Sequence, residues 1–399
     1  MKDFNFDYDA AVISHDRETA DAARRFYTLY TGGLVEWIGS IWDKETGGFY
    51  FSPSARDTDG FDPDIESTGQ ALGVLQDLGL TPDPWTFPEP FRTKVVNFLR
   101  ELQDEDGFFY HPQWGKDINT SRRARDLASA TLFIEGLGST LKYPSALEQM
   151  KSAVESDSAD SDAIPVHLRS EKAFISYLDS LDVNGNSYSA GQTIAMQAPQ
   201  IAAVGLGDAC IRYLSEHQFD NGIWEPTLNY ATANGMLKIC HAYNALGAEL
   251  PRLDKIVDAT ITTVLDPEPP KAIVDVFNPL MQIHYLRNIV ARSDDPTRLA
   301  AADGIIATRA VEILDVTREK LLVFALPDGS FGYYPPDHVY GDGQWSQGKI
   351  VAPGCTEGNM NATQLANASR ILIMEALAID PGLPYTVEDG ERFFSSILL

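Results

Sequence analysis

The chain has 399 residues, 44% hydrophobic, 22% charged and 10% aromatic, enough to bury a full core without disulfide or metal staples. Its formal net charge is −26, from 57 acids against 31 lysines and arginines, a field that repels phosphate backbones and anionic membrane leaflets. Nucleic acid and membrane partners are therefore not expected, and no apolar run reaches the ~20 residues of a bilayer span.

The N-terminal stretch MKDFNFDYDAAVISHD is acidic where a signal peptide is basic and then apolar. Three cysteines, Cys210, Cys240 and Cys355, cannot all pair, which fits a reducing compartment. A cytoplasmic protein is expected.

Along the chain, four segments repeat one pattern at the end of a helical period: Trp42–Tyr50, Leu102–Tyr110, His217–Trp224 and Pro327–Tyr333. In each, Asp, Asn or Thr with Gly makes the left-handed turn that ends a helix, and an aromatic two residues later folds back. A second helix rich in small residues follows each turn. Glu66-Ser-Thr-Gly69-Gln70 overlays on Tyr188-Ser-Ala-Gly191-Gln192, which exposes a fifth, degenerate unit around Asn184-Gly185. A sixth runs through Asn278–Leu286. Apolar residues recur at helical spacing, and no alternating strand pattern stands outside the aromatic turns. The acidic stretch Ala153–Ala163 reads as a surface loop or a disordered one. The expectation is one all-α domain over residues 1–399, an (α/α)6 toroid of about six helical hairpins around a central cavity.

The Gln-x-x-x-Gly-x-Trp form of Gln218–Trp224, and the similar Gln103–Phe109, resemble the repeats of terpene cyclases and protein prenyltransferases, members of the alpha/alpha-toroid superfamily. The resemblance covers about Leu34 to Leu377. It implies an inner ring of helices whose starts line one mouth of a cavity. It leaves function open, because toroidal glycoside hydrolases, polysaccharide lyases, epimerases and lanthipeptide cyclases share the architecture.

Polar residues collect at the expected inner-helix starts. Asp64, Glu66 and Glu357 are the candidate acid and base, with Glu225 in reserve, and Asp64 or Asn359 could equally cap a helix. Tyr188, Tyr230 and His111 are candidate bases. His111, Lys116, Arg122, Arg123 and Arg125 form a candidate clamp for a substrate carboxylate, or ion pairs, Arg125-Asp126 among them. Asn234, Asn359 and Asn361 are candidate ligand contacts. Trp114, Trp224 and Trp345 could stack on sugar rings or serve as packing. Neither a cofactor nor a metal is expected, since adjacent helical residues such as Cys240 and His241 point about 100° apart.

This polar ring suggests an enzyme that cleaves a glycosidic bond in an oligosaccharide, a glycoside hydrolase or uronate lyase. The alternative is a class II terpene cyclase-like enzyme. Asp64-Ile-Glu66-Ser-Thr68 is similar to the Asp-x-Asp-Asp-Thr motif, with Glu for the middle Asp and Ser for the last, and the second domain of those enzymes is not expected. A non-catalytic binding toroid and a sugar epimerase rank lower, the latter because the expected histidines are missing.

Overall fold

The computed structural model describes residues 6–14, 16–156, 163–292 and 303–399. The helices are α1 (Tyr8–Ser14), α2 (Arg17–Tyr27), α3 (Gly33–Ser40), α4 (Pro53–Arg56), α5 (Ile65–Asp77), α6 (Glu89–Glu101), α7 (Thr120–Gly136) and α8 (Ala146–Glu155). Then come α9 (Glu171–Ser180), α10 (Ser187–Ala203), α11 (Gly207–Glu216), α12 (Tyr230–Ala245), α13 (Leu253–Val264) and α14 (Val274–Ala291). They end with α15 (Ala310–Leu322), α16 (Met360–Ala376) and α17 (Val387–Leu398). Strands among the described residues are short: β1 (Trp42–Asp43) pairs with β2 (Gly48–Phe49), and β3 (Gln344–Ser346) with β4 (Lys349–Ala352), both antiparallel.

The residues group into two compact units. The first runs to Tyr143 and adds Pro269–Phe277 and Ala310–Leu399. In it α5 packs between α7 and α16, α15 lies along α2, and α17 meets α3 and α6. The second holds Pro144–Glu268 and Asn278–Arg309, with α10 against α12 as its centre and α8, α9, α11 and α13 around them. Its interior is one apolar cluster that includes Phe174, Trp224, Ile239, Tyr243 and Leu286. Of the acidic stretch, 157–162 lies outside the described residues, and 153–155 closes α8.

The repeated turns form as their composition predicts. Gly47, Gly107, Gly222 and Gly329 have φ of 86°, 80°, 88° and 86°, the left-handed region that side chains resist. A Cβ on Gly222 would also sit 2.4 Å from Lys255 Cβ, so this turn must be bare twice over. In two of the four turns a glutamine amide ties into the next connection: Gln103 Nε2 donates to the Tyr143 carbonyl at 3.0 Å, and Gln218 Nε2 to that of Pro251 at 3.1 Å. The aromatic residue then locks onto the following helix. The Phe49 N–H donates to Thr68 Oγ1 at 3.0 Å and the Phe331 N–H to Thr363 Oγ1 at 3.1 Å, the same bond in two repeats.

Small residues explain the close packing of the second helices. A Cβ on Gly235 of α12 would fall 1.7 Å from Ser187 Oγ of α10. The all-α class and the repeated hairpin of an alpha/alpha toroid are therefore both present. What the sequence pattern did not predict is the β3–β4 hairpin. Its turn residues Gln347 and Gly348 have φ of 49° and 82°, the mirror-image turn that usually carries Asn-Gly.

Candidate functional site

Helix capping claims several of the polar starts. Asp64 accepts the Ser67 N–H at 3.0 Å and the Ser67 hydroxyl at 2.6 Å, and Asn119, Asn229 and Asn359 each accept an N–H three residues on. Asp64 and Asn359 are thus caps first, satisfying amides that a helix start leaves open.

The capped start of α5 meets α7 in a buried charge cluster. Arg122 is fully buried, with Nε 2.9 Å from Asp126 Oδ2, Nη1 3.4 Å from Glu66 Oε2 and Nη2 3.7 Å from Asp64 Oδ1. Arg125 Nη2 lies 2.5 Å from Glu66 Oε1. The Trp114 ring covers the guanidinium of Arg122 at 4.9 Å. Gln70 Nε2 extends the cluster, donating to Glu66 Oε1 at 3.3 Å and to Asn361 Oδ1 at 3.0 Å. Glu66, Arg122, Arg125, Trp114 and Asn361 are therefore one constellation.

Three carboxylates face two guanidiniums here. Burial pushes the Asp126 carboxyl up to about 7, and neighbouring Glu66 and Asp64 add to the rise against the pull of Arg122. A carboxyl raised in the folded state favours folding when protonated, so this contribution is present at low pH and is lost as pH rises from the ordinary carboxylate range through 7. We expect stability measured by urea melts to fall over that range, and Asp126→Asn to flatten the slope. A slope that persists in that variant would assign it elsewhere.

Glu357 belongs to a second, adjoining cluster. Its Oε2 accepts the Ser54 N–H at 3.0 Å at the start of α4, and its Oε1 accepts the Ser54 hydroxyl and Gln344 Nε2, the latter at 2.7 Å. Asn359 Nδ2 donates to Gln344 Oε1 at 3.3 Å.

Other candidates are placed differently from the expected clamp and rings. His111 is buried, its Nδ1 accepting the Gln113 N–H at 3.2 Å, so Nε2 carries the proton and donates to the Pro63 carbonyl at 2.8 Å. Burial pushes its imidazole below the usual range. Both nitrogens are engaged, and His111 is a neutral strut rather than a base. Lys116 is exposed and pairs with Asp104 and Asp106 of the turn that precedes it, at 3.1 and 3.3 Å. Arg123 lies over the Phe108 ring at 5.4 Å. The basic segment is thus divided among four places and does not converge as a clamp.

Trp224 is core, 1% exposed, its Nε1 donating to the Leu214 carbonyl at 2.7 Å, and offers no open ring to a ligand. Trp345 is 55% exposed and donates to Asp342 at 3.1 Å. In the second unit the Tyr230 hydroxyl donates to the Glu268 carbonyl at 2.8 Å, Asn234 Oδ1 accepts from Asn278 Nδ2 at 2.9 Å, and Tyr188 has Lys238 Nζ 5.6 Å from its ring centre. Ser54, Gln344 and Ser346 escaped the sequence reading, since nothing local marks a serine or glutamine that partners a distant acid. Asp126 was read as a partner of Arg125, but the i,i+4 spacing of Arg122 and Asp126 was the stronger signal.

No family model and no curated protein matches the chain. Solved structures of the type II terpene cyclase MstE from Scytonema are similar to it. One holds geranylgeranyl dihydroxybenzoate as substrate, at 13% identity and a TM-score of 0.41, covering 90% of this chain and 97% of that one. Another holds merosterolic acid A as product, with the same identity, coverage and score. A third is without ligand, at 12% identity and a TM-score of 0.42 over the same shares. Cleavage of a glycosidic bond, by hydrolysis or elimination, is corrected by this finding: these neighbours are terpene cyclases, and their bound molecules are not sugars. None of these neighbours supports an oligosaccharide as the ligand. Among the described residues, no helix is long and apolar enough to cross a membrane.

Proposed function

We propose that the chain is an enzyme of the class II terpene-cyclase kind, which protonates a small polyene-bearing molecule and so starts its closure into rings. The observation that carries this reading is the buried cluster of Asp64, Glu66 and Asp126 on Arg122 and Arg125. Burial beside two further acids raises the Asp126 carboxyl to about 7, and protonating an alkene requires a carboxyl kept neutral near that pH. Glu66, at 7% exposure against 3% for Asp64 and 1% for Asp126, is the outermost carboxyl of the cluster. The proton enters the polyene at one end and leaves from the closed cation at the other, so the product is an isomer of the substrate. Asn361 and Trp345, which lie in the same unit as the cluster, are kept as its candidate ligand contacts, and Tyr188, Tyr230 and Asn234 of the second unit are given no role in it.

A cytoplasmic location is proposed on the three free thiols. A single domain over 1–399 also stays a proposal, since neither unit is a continuous segment.

Incubation with geranylgeranyl dihydroxybenzoate, followed by mass spectrometry and NMR, is expected to give a product of unchanged mass with fewer double bonds. Glu66→Gln is expected to lower turnover ~10²- to 10⁴-fold, the usual cost of losing an acid–base group. No isomer from this compound, nor from a panel of linear polyenes, sinks the proposal.

A further inference from the structure

Strand β3 touches Glu66 and Glu357, two of the carboxylates singled out as acid–base candidates, and does so from one face. Gln344 and Ser346 are 3% and 6% exposed, while Trp345 between them is 55% exposed, the alternation of a half-buried strand. Pairing with β4 is irregular between Gln344 and Trp345, the kind of register shift that re-aims a side chain. Gln344 Nε2 donates to Glu357 Oε1 at 2.7 Å, and Ser346 Oγ donates to Glu66 Oε2 at 2.9 Å.

Ser346 also stands within an ion pair. Its carbonyl accepts from Arg122 Nη1 at 3.3 Å, and the same nitrogen is 3.4 Å from Glu66 Oε2. One residue therefore offers a donor to the anion and an acceptor to the cation. The hairpin is anchored on its own account: Asn119 Nδ2 donates to the Gln347 carbonyl at 3.3 Å, and Lys349 pairs with Asp117 at 3.5 Å.

We propose that β3 is the positioning element of the site, with Ser346 orienting Glu66 toward Arg122 and Gln344 fixing Glu357 beside it. The proposal rests on the reading of Glu66 and Glu357 as site carboxylates. A hydrogen bond to an ionised carboxylate favours that form, so the Ser346 hydroxyl sets the pH at which Glu66 takes up a proton. Removing it makes Glu66 easier to protonate.

The test follows Glu66 by NMR in protein labelled with ¹³C-glutamate, its resonance assigned with Glu66→Gln. Ser346→Ala is expected to raise the Glu66 midpoint by about one pH unit, what one hydrogen bond to a charged group amounts to. Ser346→Thr, which keeps the hydroxyl, is expected to restore it. An unchanged midpoint in folded Ser346→Ala overturns the proposal. Should that variant fail to fold, Ser346→Cys, a poorer donor of similar size, is expected to shift the midpoint upward by less, and no shift there overturns it. With geranylgeranyl dihydroxybenzoate, the pH profile of kcat in Ser346→Ala is expected to move upward at unchanged KM. If the native protein turns over no polyene, the functional reading fails while the titration still decides the role of Ser346.

Discussion

Arg122→Ala is expected to cost at least ~3–5 kcal/mol of folding stability, because it strands Asp64, Glu66 and Asp126 in the interior with Arg125 alone. A domain's whole margin is only about 5–15 kcal/mol, so the variant should be poorly folded at best. Three features enlarge the effect. The guanidinium is fully buried, so bulk water does not screen the carboxylates it leaves behind. Asp126 Oδ2 would lose its bond to Arg122 Nε, and the Ser346 carbonyl its bond to Nη1. The Trp114 ring would face a void instead of the cation. Arg123→Ala is the control. Arg123, next to Arg122 in sequence, lies only half-buried over Phe108, and its loss should cost under about 1 kcal/mol. Urea denaturation of both variants measures the contrast. A change below 1 kcal/mol in Arg122→Ala would mean that the cluster is solvated and holds no buried proton, which would also remove the basis of the proposed acid.

Trp224→Ala is expected to cost ~3–5 kcal/mol, as truncating a buried tryptophan does. The ring lies in the interior of the second unit, 6.0 Å from Tyr243 by ring centroids. Its deletion opens a cavity and leaves the Leu214 carbonyl without the indole donor. Thermal and chemical unfolding should both register the loss. If stability held while only ligand affinity fell, Trp224 would be a ligand platform after all, and the core assignment would be withdrawn.

Much of the fold was legible because its signals are local. The positive φ of Gly47 and Gly222 and the caps at Asp64 and Asn359 each follow from a few neighbouring residues. Such turns and caps keep their meaning wherever the helix docks. The site was legible only in its parts list. Asp64, Glu66, Arg122 and Arg125 were all visible as polar residues at helix starts, but their pairing was not. Adjacent Arg125 and Asp126 looked like partners; on a helix they diverge, while Arg122 and Asp126 share a face, and Arg125 reaches Glu66 on another helix.

The sequence by itself determined the all-helical class, the hairpin repeat and the acidic surface, because each is written in periods of a few residues. Only the tertiary structure decided which charges are neutralised and by whom. Arg122 and Glu66 are 56 residues apart, and Ser346 and Glu66 are 280 apart. A carboxylate's proton affinity depends on what surrounds it in space within a few ångströms. The β3–β4 hairpin completes that environment, carried there by a segment whose composition, Gln-Trp-Ser-Gln-Gly-Lys, announces neither a strand nor a site.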